Sequence, residues 1–499
     1  MRGAELMRAI PDLPARIWHA AAALDFAGVS ADSRRMQSGY LFAALPGTRA
    51  DGRAFIADAV ARGAAAVLAP EGTEWPADVP QRPLFHDPRP RRRLAQIAAA
   101  LAGAQPATVV AVTGTNGKTS TVEFLRQIWA LAGHPAASLG TLGLRAPGFA
   151  PGPGLTTPDP EALAETMARL ARAGVQHAAI EASSHGLDQF RLDGLLLAAG
   201  AFTNLTRDHL DYHATMDAYR EAKLRLFDQL LPRGASVFAS TALDAASMAA
   251  LAEVAARRGL VLGTVGEGGS AIRLIRATPL PDGQELEIEA GGGRRRLLLP
   301  LPGRFQADNA LLAAALARAT GVAGALDHLG GLTGVRGRME LAARLANGAA
   351  VYVDYAHTPD ALERLLAALR PHTAGRLHLV FGAGGDRDPG KRPLMGAAAA
   401  RLADVAVVTD DNPRGEAPAA IRAAVLAGCP GGRDGGGREA AIASALAGLA
   451  PGDVLVVAGK GHEQGQTIGG VTLPFDDVAT VRRLAGDRSA PPSRQGRGL

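Results

Sequence analysis

A short glycine-rich segment, Gly114–Ser120 (GTNGKTS), holds the residues best suited to chemistry. The glycines of such a turn let backbone N–H groups surround a phosphate group, and a lysine and a hydroxyl residue add positive charge and a metal ligand. Lys118 would reach the terminal phosphates of a nucleotide, and Thr119 would hold Mg²⁺. Val112 stands where the usual motif has its first glycine. The segment therefore predicts a shortened phosphate-binding loop.

The residues on either side of this loop predict the elements that position it. Thr108–Val112 is a β-branched run typical of a buried strand, and Val122, Leu125, Ile128 and Trp129 then recur at helical spacing. A strand, a glycine-rich turn and a helix in succession place a phosphate at the N-terminus of the helix. The alternative is a Gly/Asn turn that precedes a lysine by chance.

Polar residues also follow two further strands predicted in this region, at His177–Ala182 and at Ala198–Thr203. Ligands of open parallel sheets bind beyond the carboxyl ends of the strands. Glu181 could therefore complete a Mg²⁺ site with Thr119, because Mg²⁺ prefers oxygen ligands and bound phosphate. Alternatively, Glu181 is a surface carboxylate. His209 could be a metal ligand or, as is more usual for a single histidine, a structural hydrogen-bonding residue.

The C-terminal third predicts a second ligand site. Four strands there are each followed by a polar loop, and we expect these loops at one edge of one sheet. The loops are Asp354–Pro359, Gly382–Arg387, Asp410–Arg414 and Gly459–Glu463. Arg387 and Arg414 could each bind a carboxylate, while Asp411 and Glu463 could hold an ammonium group. This combination suits an amino acid with a charged far end, although any one loop alone could simply turn the chain.

Composition narrows the class of protein. The balance of 53 basic against 48 acidic residues is too mild to indicate nucleic-acid binding. The arginine runs Arg89–Arg93 and Arg294–Arg296 are expected to be solvated faces or loops. One cysteine, Cys429, excludes an internal disulfide framework. Since no apolar run indicates a leader peptide or a membrane span, we expect a cytoplasmic protein without a membrane partner.

Alternating strand and helix patterns divide the 499 residues into three α/β regions. The first predicts strands at Tyr40–Leu45 and Ala65–Ala69 around a helix at Arg53–Arg62. The second predicts a largely parallel sheet, with an antiparallel insert at Arg273–Leu301. The predicted boundaries are residues 1–106, 107–333 and 334–486, followed by a disordered tail at 487–499.

Five motifs in this order resemble those of the Mur ligases, ATP-dependent amide-forming enzymes that build the peptide of bacterial cell walls. They are Thr113–Ser120, Glu181–Gly186, Thr203–Tyr212, Asp354–Pro359 and Asp411–Arg414. The resemblance implies a small N-terminal α/β domain for a uridine nucleotide, a central P-loop ATPase-like parallel sheet and a C-terminal Rossmann-like domain for an amino acid. A monomer that acts on small molecules is expected.

The implied reaction joins meso-diaminopimelate to UDP-N-acetylmuramoyl-L-alanyl-D-glutamate. ATP would phosphorylate the D-glutamate γ-carboxylate, and the amine would then displace phosphate through a tetrahedral intermediate. A carboxylate resists amines until one oxygen becomes a good leaving group, and the developing charge needs Mg²⁺ and Lys118. Arg414 favours diaminopimelate over L-lysine, because it offers a partner to the far carboxylate that lysine lacks.

The resemblance also implies roles for individual residues. The catalytic residues would be Lys118, Glu181, His209 and Lys223. The ATP site would comprise Gly114, Thr115, Asn116, Gly117, Lys118, Thr119, Ser120, Asn309, Arg338 and Asp354. The Mg²⁺ ligands would be Thr119, Glu181, His209 and carbamylated Lys223. The uridine-nucleotide substrate would contact Ala31, Ser33, Thr48, Arg49, Ala50, Thr156, Thr157, Ser183, Gln189 and Arg191. Diaminopimelate would contact Arg387, Asp411, Asn412, Pro413, Arg414, Gly459 and Glu463. From the residues alone, Lys223 would be an exposed lysine on a helix.

Two positions depart from the family pattern, and three alternatives remain. Leu155 and Gln306 each stand where relatives carry an asparagine. A sister ligase that adds L-lysine, a folylpolyglutamate synthase, or a nucleotide-binding regulatory protein without chemistry could share several of the motifs. The region before the phosphate loop argues against the folate enzyme, which typically starts near its loop. The presence of Lys118, Glu181, His209 and Lys223, and of the acceptor-site residues, argues against lost chemistry.

Overall fold

The computed structural model describes residues 1–10, 12–13, 18–47, 50–150, 152, 154 and 156–486. Thr48, Arg49, Leu155 and the predicted tail at 487–499 lie outside the described residues. The chain forms two compact units, Met1–Arg273 with Asn309–His328, and Leu274–Asp308 with the chain from Leu329 onward. The boundaries of three domains stay a prediction. Among the described residues, no helix combines the length and the apolar composition needed to cross a membrane.

The first unit begins with a four-stranded parallel sheet in the order β1-β2-β3-β4. Its elements are α1 (Gly3–Ala9), β1 (Gly28–Ser30), β2 (Tyr40–Ala43), α2 (Ile56–Ala61), β3 (Ala66–Pro70), β4 (Leu84–Asp87) and α3 (Pro90–Ala102). Both predicted strands are confirmed with slightly shifted ends. The helix predicted at Arg53–Arg62 splits into a 3₁₀ turn, Gly52–Phe55, and α2.

One arginine of the run at the start of α3 is buried rather than solvated. The Arg93 guanidinium donates to Asp87 at 2.7 Å and to Asp12 at 2.8 Å, and only 6% of the residue is exposed. The expectation of a solvated face was wrong here, because the sequence does not show which carboxylates fold against the helix. Arg294–Arg296 are exposed as expected.

A larger sheet forms the rest of the first unit, in the order β11-β10-β9-β5-β8-β6-β7. Its strands are β5 (Thr108–Thr113), β6 (Ala136–Gly140), β7 (Gly143–Arg145), β8 (His177–Glu181), β9 (Ala199–Phe202), β10 (Ser236–Ser240) and β11 (Val261–Gly266). Its helices are α4 (Lys118–Leu131), α5 (Pro160–Arg172), α6 (Ser184–Asp188), α7 (Leu210–His213), α8 (Met216–Arg225) and α9 (Ala245–Arg258). All neighbouring strands are parallel except β6 and β7. Because β9, β5 and β8 are adjacent and parallel, the loops that follow them leave the sheet at one edge.

The second unit contains a six-stranded sheet in the order β15-β16-β20-β17-β18-β19. Its strands are β15 (Glu340–Arg344), β16 (Ala350–Asp354), β17 (Leu377–Phe381), β18 (Val405–Thr409), β19 (Arg433–Gly436) and β20 (Val454–Ala458), and its helices are α11 (Pro359–Leu369), α12 (Lys391–Leu402), α13 (Pro418–Leu426), α14 (Arg438–Ala447) and α15 (Asp477–Ala485). Only β15 runs antiparallel to its neighbour. The four predicted polar loops follow β16, β20, β17 and β18, so all four emerge at one edge, as predicted.

The remaining elements are β12 (Ile272–Leu280), β13 (Gly283–Ala290), β14 (Gly293–Leu299), α10 (Arg304–Ala319), β21 (Gly465–Ile468), β22 (Val471–Pro474), the 3₁₀ turns His19–Ala23, Ser33–Arg35, Ala325–Gly331 and Arg370–His372, and a π turn at Leu226–Leu230. The antiparallel pairing of β13 with β14 confirms the predicted insert. The antiparallel hairpin of β21 with β22 was not predicted.

We expect Gly194→Ala to destabilise the first unit. A Cβ at Gly194 would lie 2.3 Å from the carbonyl oxygen of Ala95 on α3, so the backbone would have to move. Overpacking of this kind costs about 1–3 kcal/mol, and the thermal unfolding midpoint should fall by about 5 °C. Gly293→Ala is the matched control, because no described atom lies within 4 Å of its added Cβ. Equal midpoints for both variants would contradict this packing.

Candidate active site

The phosphate loop Gly114–Ser120 joins β5 to α4, as predicted. Gly117 precedes the helix in the left-handed region, with a φ of 84°. A Cβ at this position would lie 2.5 Å from Asn309 Oδ1, so a larger residue could not sit here without displacing Asn309. Asn309 is 7% exposed. The structure therefore brings this predicted ATP contact directly against the loop.

Polar groups at the end of β9 fix the shape of the loop. The Thr203 hydroxyl donates to the Asn116 carbonyl at 2.6 Å, and Asn116 N donates to Asn204 Oδ1 at 3.0 Å. Lys118 Nζ lies over the loop and donates to the carbonyl oxygens of Gly114 and Thr115 at 2.9 and 2.8 Å. Thr119 and Ser120 are buried in the first turn of α4.

Lys223 is buried against the same loop. Only 1% of the residue is exposed, and its Nζ donates to the Gly114 carbonyl at 2.8 Å and lies 4.4 Å from the centre of the Tyr219 ring. Burial, reinforced by the charge of Lys118, holds the pKa of Lys223 well below its usual range. The expectation of an exposed lysine from the residues alone was wrong, because the burial depends on a loop 109 residues earlier in the chain.

Glu181 and His209 differ in burial and in hydrogen bonding. Glu181 is 1% exposed, and its carboxylate accepts from Thr141 N at 2.8 Å and from the Thr141 hydroxyl at 3.2 Å. The alternative of a surface carboxylate is thereby wrong. The side chain of His209 is 46% exposed, and its ring centre lies 5.0 Å from that of His185 and 6.1 Å from that of Tyr219.

The donor atoms of this region suit Mg²⁺. Thr119 offers a hydroxyl oxygen and Glu181 a carboxylate, which are the ligand types that Mg²⁺ prefers beside phosphate. Within the described part of the chain, no three His, Cys, Asp or Glu side chains gather as a metal site by themselves. The predicted set contains only two such residues and depends on the Thr119 hydroxyl and a modified Lys223 for the rest.

Four of the residues predicted to contact the uridine-nucleotide substrate form one hydrogen-bonded cluster around Thr157. The Thr157 hydroxyl donates to the Glu181 carbonyl at 2.8 Å and lies 3.0 Å from the Ser183 hydroxyl. Arg191 donates to the Thr157 carbonyl at 2.6 Å and to Gln189 Oε1 at 2.8 Å. The cluster therefore links this predicted substrate site to the end of β8.

The remaining members of that predicted site are less closely joined. Thr156 lies 3.1 Å from Thr141, hydroxyl to hydroxyl. Ala31 N donates to Glu161 Oε1 at 3.0 Å, Ser33 is buried and Ala50 is exposed. The structure therefore ties Ala31 to the first turn of α5, but among the described residues it shows no contact that joins Ser33 or Ala50 to the cluster around Thr157.

Two predicted nucleotide contacts lie together at the end of β16. The Asp354 carboxylate accepts from Met339 N at 2.7 Å and from Ala356 N at 2.8 Å. The Arg338 guanidinium stacks on the Tyr355 ring at 4.6 Å. Gln306, one of the two departures from the family pattern, donates from its amide to the Arg338 carbonyl at 3.2 Å, so it retains a role in holding this segment.

The predicted amino-acid site contains a buried carboxylate oxygen that is able to accept a hydrogen bond from a bound ammonium group. Asp411 Oδ2 is buried and has no hydrogen-bond partner among the described residues. Gly459 has a φ of 118° and packs directly against this carboxylate. A Cβ at this position would lie 2.4 Å from Asp411 Oδ2, so only glycine fits here without a shift. Beside it, Asn412 donates to Glu463 Oε2 at 2.9 Å. The structure thus brings the three predicted polar residues together.

Two of the predicted arginines, from two different loops of this sheet edge, lie close to each other. A Cβ at Gly384 would lie 2.9 Å from Arg414 Nη1 and 3.8 Å from Arg387 Cγ, so both arginines flank the same glycine. Arg414 donates to the Gly385 carbonyl at 2.8 Å and has a φ of 53°, which is unusual for a residue with a side chain. Pro413 also belongs here, because its carbonyl would be 1.9 Å from a Cβ at Gly385.

Sequence reasoning missed two residues of this site, Lys460 and Gln466. Lys460 is fully buried and donates to Asn412 Oδ1 at 3.0 Å, and Gln466 donates to the Asp411 carbonyl at 2.7 Å. Lys460 could have been found from composition. Of the 53 basic residues only four are lysines, Lys118, Lys223, Lys391 and Lys460. In a chain that uses arginine almost everywhere else, a retained lysine indicates a place that arginine cannot fill.

Comparison with known proteins covers nearly the whole chain. Family models match at residues 25–102 (Mur ligase family, catalytic domain), 112–317 (Mur ligase middle domain) and 337–461 (Mur ligase, glutamate ligase domain). The UDP-N-acetylmuramoyl-L-alanyl-D-glutamate–2,6-diaminopimelate ligase of Caulobacter vibrioides is 56% identical over 92% of this chain and 96% of its own length. The ligase of the same name from Rhizobium meliloti is 51% identical over 95% and 97%.

Solved structures support the same family. A structure of a ligase with that name has a TM-score of 0.72 and 32% identity, and the match covers 96% of this chain and 98% of the other. A MurF ligase from Thermotoga maritima, in complex with ADP, shares the fold with a TM-score of 0.62 at 19% identity, over 92% and 96% of the two chains. By its motifs, its three-domain fold and these relatives, this chain belongs to the Mur ligase family of ATP-dependent amide ligases.

Proposed function

We propose that this protein uses ATP to join meso-diaminopimelate to the D-glutamate γ-carboxylate of UDP-N-acetylmuramoyl-L-alanyl-D-glutamate, as a cytoplasmic monomer in peptidoglycan precursor synthesis. The observation that supports the choice of acceptor is that Arg387 and Arg414 flank Gly384, while Asp411, at the same sheet edge, has a buried carboxylate oxygen without a hydrogen-bond partner among the described residues. Arginine binds a carboxylate and Asp411 binds an ammonium group, and the far end of diaminopimelate carries both. The names of the most similar relatives support the same acceptor.

Two bond exchanges make up the proposed reaction. A γ-carboxylate oxygen attacks the γ-phosphorus of ATP, and ADP leaves. The amine of the acceptor, after losing a proton, then attacks the acyl carbon, and phosphate leaves as the amide forms. Lys118 stabilises the charge on the transferred phosphoryl group. Thr119, Glu181, His209 and carbamylated Lys223 would hold Mg²⁺, which neutralises the phosphate oxygens when it is bound.

The test is ADP release with ATP, Mg²⁺ and UDP-N-acetylmuramoyl-L-alanyl-D-glutamate, with either meso-diaminopimelate or L-lysine as acceptor. We expect release with meso-diaminopimelate alone. A preference for L-lysine would keep the ligase and overturn the acceptor. Release with neither would overturn the proposed function.

We expect Lys223 to take up CO₂. Burial lowers the pKa of Lys223 and so favours its neutral amine, whose Nζ can attack the carbon of CO₂ and lose a proton to give a carbamate. Protein equilibrated with ¹³C-bicarbonate should show one carbamate resonance by ¹³C NMR. Lys223→Arg should abolish the resonance, whereas Lys391→Arg, the matched control, should retain it. A spectrum without the resonance, or one unchanged in Lys223→Arg, would contradict the modification.

A further inference from the structure

The β21–β22 hairpin contacts the whole length of the acceptor loop, Asp411–Arg414. Gln466 on β21 is 9% exposed and donates to the Asp411 carbonyl at 2.7 Å. The next residue, Thr467, donates its N–H to Asn412 Oδ1 at 3.0 Å, and its carbonyl accepts from Arg414 N at 2.9 Å. Gly469 N then donates to the Arg414 carbonyl at 2.7 Å. Each polar residue of the loop is thus tied to one short hairpin.

Hydrogen bonds from this hairpin stabilise the strained backbone conformation of Arg414. Arg414 has a φ of 53°, a conformation that costs free energy for any residue with a Cβ. Its N–H and carbonyl both bond to the hairpin, and these bonds hold the conformation that directs its side chain along Gly384 and Gly385. The hairpin keeps its own register through a two-residue turn, Gly469-Gly470, in which both φ values are positive, at 56° and 81°.

Lys460 secures the loop from the other side. It is fully buried, and its Nζ donates to Asn412 Oδ1 at 3.0 Å and lies 3.4 Å from Glu463 Oε2. Asn412 Oδ1 therefore accepts from both Lys460 and Thr467, and its amide nitrogen donates to Glu463. Because the amide oxygen accepts from two donors and the amide nitrogen donates to a carboxylate, the Asn412 amide can adopt only one orientation.

We propose that Gln466 and Lys460 are positioning residues that determine acceptor specificity by fixing Asp411–Arg414. They act through the loop rather than on the acceptor. The proposal rests on the proposed function, because the acceptor loop is defined by the amino acid that it would bind. It predicts that removing the hydrogen bonds of Gln466 or of Lys460 impairs the use of meso-diaminopimelate and leaves the nucleotide site unchanged.

The experiment measures KM and kcat of the full chain with Gln466→Met, which keeps the side-chain volume but cannot donate. We expect KM for meso-diaminopimelate to rise about tenfold, since one buried hydrogen bond is lost, while KM for ATP stays within about twofold. The ratio of kcat/KM for meso-diaminopimelate to that for L-lysine should fall, which general destabilisation would not cause. Thr472→Val is the control, because it removes only the exposed hydroxyl contact with Thr467 at 2.9 Å.

Lys460→Met provides an independent second variant with the same expected pattern, should Gln466→Met fail to fold. Unchanged acceptor KM and specificity ratio in a folded variant, or an equal rise of KM for ATP, would overturn the proposal. If the wild-type enzyme releases ADP with neither acceptor, the proposed function fails instead. The wild-type assay therefore separates the two failures.

Discussion

Lys118→Ala is expected to lower ATP-dependent ligation by about a thousandfold, since removal of one group that stabilises the transition state typically costs a factor of 10²–10³. Lys118 lies at the N-terminus of α4 and its ammonium already contacts the carbonyl oxygens of the phosphate loop. Alanine keeps the helix but removes the only side-chain charge of that loop. The measurement is the initial rate of ADP release at saturating substrates.

A matched control removes a positive charge elsewhere in the same unit. The Arg257 side chain on α9 is 54% exposed and pairs with the partly exposed Asp228, so Arg257→Ala should keep the wild-type rate. Circular dichroism of both variants checks that they fold. Wild-type turnover in Lys118→Ala would overturn the assignment of the phosphate loop, and with it the proposed reaction.

Arg414→Ala is expected to raise KM for meso-diaminopimelate by about 30–100-fold, because a hydrogen bond to a charged group is worth about 1.5–3 kcal/mol. KM for ATP should change by no more than about twofold. L-lysine lacks the far carboxylate, so its KM should change little and the preference for meso-diaminopimelate should shrink. Steady-state kinetics with each acceptor measure these KM values.

Arg401→Ala supplies the comparison for Arg414→Ala. The Arg401 side chain is 57% exposed on α12 and pairs with the exposed Glu363, so its loss should leave all three KM values unchanged. Equal rises of KM for ATP and for meso-diaminopimelate in Arg414→Ala would remove Arg414 from the acceptor site.

Much of the architecture could be predicted from local patterns. The strand before the phosphate loop, the helix after it and the strand that ends at Glu181 were all confirmed, because β-branched runs and helical spacing depend on residues close together in the sequence. The shared edge of the polar loops could also be predicted. Parallel strands joined by helices must present the same ends in the same direction.

The errors have a common physical cause. Lys223 and Arg93 were both expected to be solvated, and both are buried. Burial of a charged side chain depends on partners brought from elsewhere in the chain, such as Gly114 for Lys223 and Asp12 for Arg93. No local pattern contains those partners.

Residue types and their local spacing were enough to identify which chemistry is available. They placed a phosphate loop, oxygen ligands and paired arginines at the ends of predicted strands. How those groups are held became visible only in the folded chain. The burial of Lys223, the left-handed conformation of Arg414 and the hairpin bonded to it all depend on contacts between distant segments, and these contacts exist only once the chain has folded.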